Sequence, residues 1–529
     1  MFNMASLGYT LLLTAAAAGS PSATVYVNTT GLLFRVSPHF VSWNIDASPN
    51  RGFQWRNLSS PSLLALAHGL PGGYLRFGGS GNGALWYGDG IGSQSCAGAT
   101  SRKFECMNAT MTNALIALAD AASARLVFGL NIDNLFDNHM HPGPGWLWNA
   151  TNAEAMIQYL AARGQPFAFE LGNEENGHYP SEGLSPEEEA RSFAKLMGII
   201  VKAYPDAASR PKIIGPDADY MDPNAAQHVV YKEWVREFVG NLSSVHDVPL
   251  FAATLHEYID VGWNGTSWRS LDPEVLDRTG QVAAEFAGTV RGAWGKSHPP
   301  PQLWAGEIGP HNGGSPPCNS SSMRWANFAN TFWYIDAMAT KAAHGYSAFC
   351  RQDFIGADYG LLDCATQTPL PDYYAARLWK QLMGPGVLAA SVAVGSPRTV
   401  RAYSHCAADE SGDDDIVVLL LNLDDKAVDV NVKLHAGSAA GVGVGEGEGE
   451  GEGEGAESSS DRKEWHFTAG ESGLAGTEIM LNGETLEWVL GKPLPEMLGT
   501  SAPAASPVHM VPQSIAFVRV AGAAAVACE

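Results

Sequence analysis

The chain has 529 residues, of which 45% are hydrophobic and 16% are charged. It is therefore long enough for a large core plus an accessory domain, and its composition excludes wholesale disorder. The formal net charge is −23 and the sequence pI is near 5.0. Because the summed field of so acidic a protein repels polyanions, nucleic acid is not expected as a partner.

Residues 1–23 contain an apolar run that ends in small residues, without the usual positive start. This pattern predicts a signal peptide cleaved between Ala18 and Ala23; the alternative is an ordinary disordered start. No later apolar run approaches the ~18 uncharged residues that would span a bilayer. We expect a glycoprotein that is secreted or delivered to a lysosome- or vacuole-like compartment. Seven N-x-S/T sequons fit this expectation: Asn28, Asn57, Asn108, Asn149, Asn241, Asn264 and Asn319.

Seven cysteines in an exported chain predict some disulfides and at least one leftover thiol. Cys350 lies inside an apolar run, as a buried thiol would. The spacing of the others does not fix their pairing, and none has the Cys-x2-Cys spacing of a zinc site. The pairings that we consider are Cys96 with Cys106, Cys318 with Cys364, and Cys406 with Cys528, of which the last would hold the C-terminus.

Residues 39–384 show a repeated strand–loop–helix rhythm, which predicts a (β/α)8 TIM barrel. Helix starts are expected at Ser60-Pro61, at Thr151 with Glu154, and at Ser185 with Glu188; the last two have the pattern of capping boxes. The eight predicted strands are 40–46, 74–79, 124–131, 166–174, 212–217, 251–258, 302–309 and 346–353.

Residues 385–529 change to short, alternating runs, which predict an antiparallel β-sandwich domain. Residues 24–38 are also strand-like and are expected to join it. The Gly-Glu repeat within 436–463 predicts a disordered insertion with no catalytic role. The predicted sandwich strands are 399–403, 415–423, 428–434, 464–468, 478–481, 486–489 and 514–520.

Two glutamates, Glu174 and Glu307, end predicted strands four and seven beside glycine-rich loops. Because the active site of such a barrel lies at the C-terminal ends of its strands, both can face one cleft. A pair of carboxylates is what glycosidic bond hydrolysis requires, one as proton donor and one as nucleophile. The alternatives are a solvated loop carboxylate for Glu174 and an ion-paired barrel residue for Glu307.

Other polar residues accompany these strands. His256 and Tyr258 end predicted strand six and are expected to touch the nucleophile or the sugar, although His256 also suits a core position. Asp46 ends strand one, where it would bind sugar hydroxyls or pair with Arg76, and Glu170 is expected to be a buried polar residue. His139-Met140-His141 has no carboxylate or cysteine support, so we assign no metal and no cofactor.

Several motifs resemble, in the same order, those of the heparanase-like β-glucuronidases of glycoside hydrolase family 79 in clan A. The resemblance covers nearly the whole mature chain and is closer to the plant members than to animal heparanase. The motifs are Glu170-Leu171-Gly172-Asn173-Glu174, Tyr74-Leu75-Arg76-Phe77-Gly78-Gly79, Phe128-Gly129-Leu130-Asn131, Gly215-Pro216-Asp217, Gly306-Glu307, Cys350-Arg351-Gln352, Asp358-Tyr359-Gly360-Leu361-Leu362 and Pro371-Asp372-Tyr373.

The resemblance implies a retaining mechanism, with Glu174 as proton donor and Glu307 as nucleophile. It also implies a disulfide between Cys406 and Cys528. Backbone N–H groups of Gly313 and Gly314 would bind a uronate carboxylate. The residues implied to contact the sugar are Asp46, Ser80, Asn173, Gln352 and Tyr359.

The chain departs from the family pattern at Glu175, where proline is usual, at Asp358, where related chains have asparagine, and at Tyr220, which replaces a polar cleft residue of the animal enzyme. It also lacks the basic heparin-binding clusters of that enzyme, which argues against highly sulfated substrates. We expect a β-glucuronidase acting on a glucuronic acid-bearing glycan or glycoside, compatible with peripheral association with a cell wall or matrix. The alternatives are a heparanase-type endo-β-glucuronidase on a matrix polysaccharide and an inactive carbohydrate-binding glycoprotein.

Overall fold

The computed structural model describes residues 21–48, 57–97, 105–132, 145–180, 183–220, 227–261, 267–312, 325–408, 414–435 and 462–528. Along these residues we number the strands β1–β21 and the helices α1–α9. The predicted segment 1–23 lies outside them except for its last three residues, and β1 (Ser22–Arg35) begins within that segment.

Eight parallel strands close into a barrel in the order β10-β11-β2-β3-β6-β7-β8-β9, so the predicted barrel is confirmed. Short β4 (Leu85–Tyr87) and β5 (Glu105–Met107) form a separate pair. The barrel strands are β2 (Val41–Asp46), β3 (Tyr74–Gly78), β6 (Arg125–Leu130), β7 (Ala168–Leu171), β8 (Lys212–Asp219), β9 (Ala252–Val261), β10 (Gln302–Asn312) and β11 (Tyr346–Arg351).

Helices follow the strands and cover the outside of the barrel. They are α1 (Pro61–His68), α2 (Ala109–Ala121), α3 (Thr151–Ala161), α4 (Glu175–His178), α5 (Pro186–Ala203), α6 (His228–Ser244), α7 (Pro273–Ala293), α8 (Phe328–Ala343) and α9 (Pro371–Leu382). Within the described residues, no helix combines the length and apolar character that crossing a membrane requires.

The three predicted helices begin where expected, but only one of the two predicted capping boxes forms. Ser60 precedes Pro61 at the first position of α1, and α5 begins with a capping box in which Ser185 and Glu188 exchange hydrogen bonds of 3.3 and 2.9 Å. The predicted box at Thr151 is wrong. Thr151 is already the first helical residue, and its hydroxyl donates to Asn149 Oδ1 at 2.8 Å.

A second sheet of eleven strands consists of β1 and the strands β12–β21, which follow the barrel. Its pairs are antiparallel except β1 with β15, which are parallel. The predicted strand 486–489 is wrong, because only the preceding Glu484–Thr485 pairs. The other strands are β12 (Met383–Val392), β13 (Val400–Ala407), β14 (Ile416–Asn422), β15 (Val428–His435), β16 (Arg462–Ala469), β17 (Ile479–Leu481), β18 (Glu484–Thr485), β19 (Thr500–Ala502), β20 (Val508–Met510) and β21 (Ser514–Val520).

Strand β14 shows how this sheet buries both faces. Val417, Leu419 and Leu421 belong to the large apolar cluster that includes the barrel and its helices. The alternate residues of β14 pack in a second cluster with β1, β15 and β20. Because alternate side chains of a strand point to opposite faces, the sheet folds over itself on one side and packs against the barrel on the other.

Polar contacts also join the sheet to the barrel. Arg401 and Tyr403 of β13 both contact the buried Asp336 of α8, with the Tyr403 hydroxyl at 2.6 Å. This fixes the outer sheet relative to one helix of the barrel.

The cysteines distribute as two described disulfides, Cys96–Cys106 and Cys406–Cys528, with Cα–Cα separations of 5.5 Å. Cys350 is a buried free thiol. Cys364 is also disulfide-bonded, and Cys318, the partner considered for it, lies outside the described residues.

Removing the two described disulfides separately is expected to cost different amounts of stability. The Cys406–Cys528 bond spans 122 residues and Cys96–Cys106 spans 10. Chain entropy then predicts losses of about 5 and about 3 kcal/mol for the paired Cys→Ala variants. Urea unfolding of the two double variants measures the difference. A larger loss for the Cys96/Cys106 variant would contradict this ordering.

Candidate active site

Glu174 lies at a turn between β7 and α4. Gly172 (φ +76°) lets the chain leave the strand, since a Cβ there would sit 3.0 Å from Ile132. Glu174 itself has left-handed backbone angles (φ 56°, ψ 36°), and its N–H donates to the carbonyl of Asp217 at 3.0 Å. The strand therefore ends three residues before Glu174, earlier than the predicted 166–174, and the turn delivers the carboxylate.

Glu307 is aimed by a bulge rather than by the end of its strand. Pairing of β10 with β9 shifts between Ala305 and Glu307, where Gly306 is the extra residue. Gly306 fits because a Cβ there would lie 3.1 Å from Thr254, and its carbonyl accepts a hydrogen bond from Asn44 at 3.1 Å. Such a bulge re-aims the next side chain, here Glu307.

The structure brings Glu174, His256 and Glu307 together. A carboxylate oxygen of each glutamate and a ring nitrogen of His256 all lie within 4.8 Å of one another. His256 Nδ1 is 2.8 Å from Glu174 Oε1 and 3.9 Å from Glu307 Oε2. The Glu174 side chain is 24% exposed, whereas that of Glu307 is 4% exposed. One carboxyl group thus reaches solvent while the other is enclosed.

Arg76 of β3 organises the enclosed side of this site. Its guanidinium donates to Glu307 Oε2 and to Glu170 Oε2, both at 2.7 Å. The same group donates to Asn173 Oδ1 at 3.1 Å and to Asp217 Oδ2 at 3.2 Å. Charge-assisted bonds of this kind hold each acceptor in one orientation. Tyr258 donates a further bond to Glu307, at 2.5 Å.

Burial and neighbouring charges shift the pKa values of Glu170, Asp217 and His256 in different directions. Burial raises the pKa of Glu170 to about 8, against the attraction of Arg76. Burial would also raise the pKa of Asp217, but Arg76 and His256 hold it well below its ordinary value. Burial alone would lower the pKa of His256, but Glu307, Asp217 and Glu174 raise it to about 10. The imidazole is therefore a cation lying between the two glutamates.

The remaining predicted sugar contacts take different positions. Asp46 and Gln352 are buried and joined, with Gln352 Nε2 donating to Asp46 Oδ2 at 2.7 Å, and Asn173 is bound to Arg76. Ser80 is exposed. Tyr359 is buried and packs with Trp325 and Tyr258. Gly313 and Gly314 lie outside the described residues.

Two expectations about position need correction. His256 and Tyr258 do not end their strand, because β9 continues to Val261 in register with β10. Tyr220 does not line the cleft: it is fully buried and packs edge-on against His228 and Phe286 of the surrounding helices. An irregularity in the β8–β9 pairing between Gly215 and Ala218 precedes this outward turn.

The sequence suggested Arg76 only as an alternative partner of Asp46 and gave Asp217 no role, although both are central to the site. The available signal was a charged residue in the short apolar strand Tyr74–Gly78. A fully buried arginine requires anionic partners, so Arg76 itself predicts a buried carboxylate cluster. The expectation that Glu170 is a buried polar residue satisfied within the barrel is confirmed.

Glu174, His256 and Glu307 are also residue types that ligate metals. Here Arg76 already donates to Glu307, and the raised pKa of His256 keeps a proton on the ring. A metal ion would have to displace these positive groups. The arrangement instead suits two carboxyl groups that work with protons.

A parallel eight-stranded barrel with a second β-sheet and two acidic side chains at one mouth is compatible with a two-carboxylate glycoside hydrolase. The family model described as Glycosyl hydrolase family 79, N-terminal domain, matches residues 56–339, more than half of the chain. The chain belongs to glycoside hydrolase family 79, as the motifs predicted.

Among curated relatives, Heparanase-like protein 1 of Arabidopsis thaliana is 27% identical over 80% of this chain and 76% of its own length. Baicalin-beta-D-glucuronidase of Scutellaria baicalensis is 28% identical over 71% and 63%, and Heparanase of Gallus gallus is 25% identical over 93% and 94%. In each case about a quarter of the aligned residues are identical.

Solved structures show the fold. The family 51 arabinofuranosidase from Xanthomonas axonopodis pv. citri superposes with a TM-score of 0.61 at 12% identity, covering 94% of this chain and 99% of its own. A 4-O-alpha-L-rhamnosyl-beta-D-glucuronidase from Fusarium oxysporum gives 0.60 at 13% identity, covering 94% and 100%.

The burial of Glu175 predicts that the stability of the fold depends on pH. It is buried next to Glu174, and burial raises its pKa to about 7, opposed by a backbone hydrogen bond from Leu184. A carboxyl group with a raised folded-state pKa contributes stability that is complete below its unfolded pKa and is lost as pH rises through about 7. The loss is about 3 kcal/mol for this group.

Thermal unfolding of wild type and Glu175→Gln between mildly acidic and mildly alkaline pH tests this. The variant is expected to lose less stability as pH rises, because its amide has no proton to release. Glu187→Gln, on the exposed face of α5, removes the same charge and should keep the wild-type slope. Identical slopes for Glu175→Gln and wild type would show that Glu175 does not titrate in this way.

Proposed function

We propose that this protein is a retaining β-glucuronidase in which Glu174 is the proton donor and Glu307 is the nucleophile. The observation that supports this best is the separation of the two carboxylates, whose oxygens approach within 4.8 Å. Retaining glycosidases hold their carboxyl groups about 5–5.5 Å apart, whereas inverting enzymes need room for a water molecule between carboxylate and sugar.

In the first step, Glu307 attacks the anomeric carbon and forms a glycosyl ester while the bond to the leaving oxygen breaks. Arg76 and Tyr258 orient the Glu307 carboxylate through bonds of 2.7 and 2.5 Å. Because Arg76 is fully buried, its charge stabilises the anionic form of the nucleophile without competition from water.

Glu174 gives its proton to the leaving oxygen in that step and takes one from water in the second. Its greater exposure suits a group that exchanges protons with solvent. His256 donates from Nδ1 to Glu174 at 2.8 Å. Its other ring nitrogen, Nε2, forms an ion pair with Asp217 Oδ1 at 3.6 Å. His256 therefore positions the carboxyl group and stabilises the carboxylate that remains after proton transfer.

A glucuronide substrate is supported by the relatives named heparanase and baicalin-beta-D-glucuronidase. We assign the sugar hydroxyls to Asp46, Asn173 and Gln352, which are buried polar residues of the described site. Ser80 and Tyr359 complete this proposed set. Backbone N–H groups of Gly313 and Gly314 are the proposed partners of the uronate.

We further propose that the protein is exported. Disulfides such as Cys406–Cys528 form and persist in oxidising compartments. Of the seven sequon asparagines, two lie outside the described residues, and none of the other five is buried. Both features fit a secretory route to an extracellular, lysosomal or vacuolar destination.

Substitution of each carboxylate tests the roles directly. Glu307→Gln is expected to lower kcat/KM for 4-nitrophenyl β-D-glucuronide by about a thousandfold or more, because no ester can form. Glu174→Gln is expected to lose about a hundredfold or more on substrates with poor leaving groups and far less on dinitrophenyl glucuronide, which needs no proton.

Azide should restore turnover to a Glu174→Ala variant and yield a β-glucuronyl azide, since the anion attacks the anomeric carbon, displaces the Glu307 carboxylate and needs no general base. Glu187→Gln serves as the surface control. Near wild-type kcat/KM in Glu307→Gln, or an equal loss on both leaving groups in Glu174→Gln, would remove that residue from its proposed role.

A further inference from the structure

Asp219 is an acidic residue of the cleft that the proposed mechanism does not use. It is the last residue of β8 and lies in register with His256 on the neighbouring strand. As a residue, Asp219 is only partly buried, whereas Asp217 and Glu170 are fully buried. It therefore faces the same mouth of the barrel as the two glutamates.

The main chain of Asp219 is locked in place by Asn176. The side-chain amide of Asn176 donates to the Asp219 carbonyl at 2.7 Å, and the Asp219 N–H donates to Asn176 Oδ1 at 2.9 Å. Asn176 is fully buried in α4, the short helix that starts directly after Glu174. Asp219 is thus tied to the segment that carries Glu174.

The carboxyl group of Asp219 lies close to α4. Its Oδ2 lies 3.5 Å from the position that a Cβ on Gly177 would occupy. With glycine at 177, the space beside this oxygen is open. Among the described residues, no hydrogen bond or ion pair engages the Asp219 carboxyl group.

The charged and titratable groups that face Asp219 are mostly acidic. Burial raises the pKa of Asp219, and the carboxylate of Glu174 raises it more than that of Glu307 does, with His256 opposing both. Tyr231 of α6 also lies nearby: burial raises the pKa of its hydroxyl, and the negative charges of Asp219 and Glu174 raise it further. The nearby cations are already engaged, Arg76 with Glu307 and His256 with Glu174.

We propose that Asp219 lines the leaving-group side of the cleft and selects against leaving groups that carry negative charge. This inference rests on the proposed function, because it takes Glu174 as the proton donor. A proton donor lies beside the leaving oxygen, and the nucleophile lies on the other side of the anomeric carbon. Asp219 is tied through Asn176 to the helix that directly follows Glu174, so its carboxyl group is placed on the leaving-group side.

The favoured substrates are then β-glucuronides of neutral leaving groups, whose hydroxyls donate to Asp219. Above the raised pKa of Asp219, a sulfated or carboxylated leaving group meets a second negative charge in a site whose described cations, Arg76 and His256, are already engaged. Repulsion between the Asp219 carboxylate and an anionic leaving group weakens the binding of the competing substrate, and it adds nothing to the affinity for the neutral one.

The test compares 4-nitrophenyl β-D-glucuronide with an analogue that bears a carboxylate on the ring and has matched leaving-group acidity. The quantity measured is the ratio of kcat/KM for the anionic substrate to that for the neutral one, across the pH range of activity. Asp219→Asn is expected to raise this ratio roughly fivefold to tenfold at the alkaline end of that range, where Asp219 is ionised, and added salt should there raise it in wild type more than in the variant.

Asp206→Asn is the matched control. Asp206 is exposed at the opposite end of the barrel, in the loop before β8, so the same charge is removed away from the cleft. This variant should leave the ratio unchanged. Asp219→Ser provides a second, uncharged replacement if the asparagine variant does not fold.

An unchanged ratio in folded Asp219→Asn or Asp219→Ser would overturn the inference, as would an equal rise in Asp206→Asn. Failure of wild type to hydrolyse either glucuronide would instead count against the proposed function. These two outcomes can be told apart. An unchanged ratio can be measured only if the wild type turns over both substrates, whereas the proposed function fails if the wild type turns over neither.

Discussion

Four side chains accept hydrogen bonds from the guanidinium of Arg76 inside the barrel, and three of them are the carboxyl groups of Glu170, Asp217 and Glu307. Without this cation, three acidic groups would share an apolar interior, and they would have to take up protons or admit water. A planar guanidinium can serve all of them because its donors point in fixed directions, which a lysine ammonium cannot reproduce. The bulge at Gly306 aims the side chain of Glu307, and Arg76 together with Tyr258 then holds its carboxyl group.

Local departures from regular structure bring the acidic groups to this cation. A bulge at Gly306 turns Glu307 inward, an irregularity after Gly215 precedes Asp217, and a left-handed turn presents Glu174. Regular strands alternate their side chains between the barrel interior and the helices, so they cannot place these groups by themselves. The surrounding packing holds these conformations in place, including the outer sheet attached through Asp336.

The barrel was predictable from sequence because its strands are short apolar runs between well-marked helices, and all eight were found. The two glutamates stood out because a glycine lies one or two residues before each of them, Gly172 before Glu174 and Gly306 before Glu307. Arg76 was missed as an organiser because its partners lie 94 to 231 residues away, and no local pattern encodes such pairing. Residues 486–489 alternate like a strand, but the ladder with β17 ends at Thr485 and only the Leu486 N–H continues it, with a bond of 3.0 Å to the Ile479 carbonyl. Tyr220 follows an irregularity in the β8–β9 pairing that composition does not reveal.

The most direct test of the account is to identify the carboxylate that becomes covalently bound to the sugar. A 2-deoxy-2-fluoro-β-glucuronyl fluoride forms the ester readily and hydrolyses it slowly, so proteolysis and mass spectrometry can locate the label. The account predicts one sugar on the peptide that contains Glu307 in wild type, and none in Glu307→Gln. A label on Glu174 or on another carboxylate, or fluoride release with no labelled peptide at any time, would contradict it.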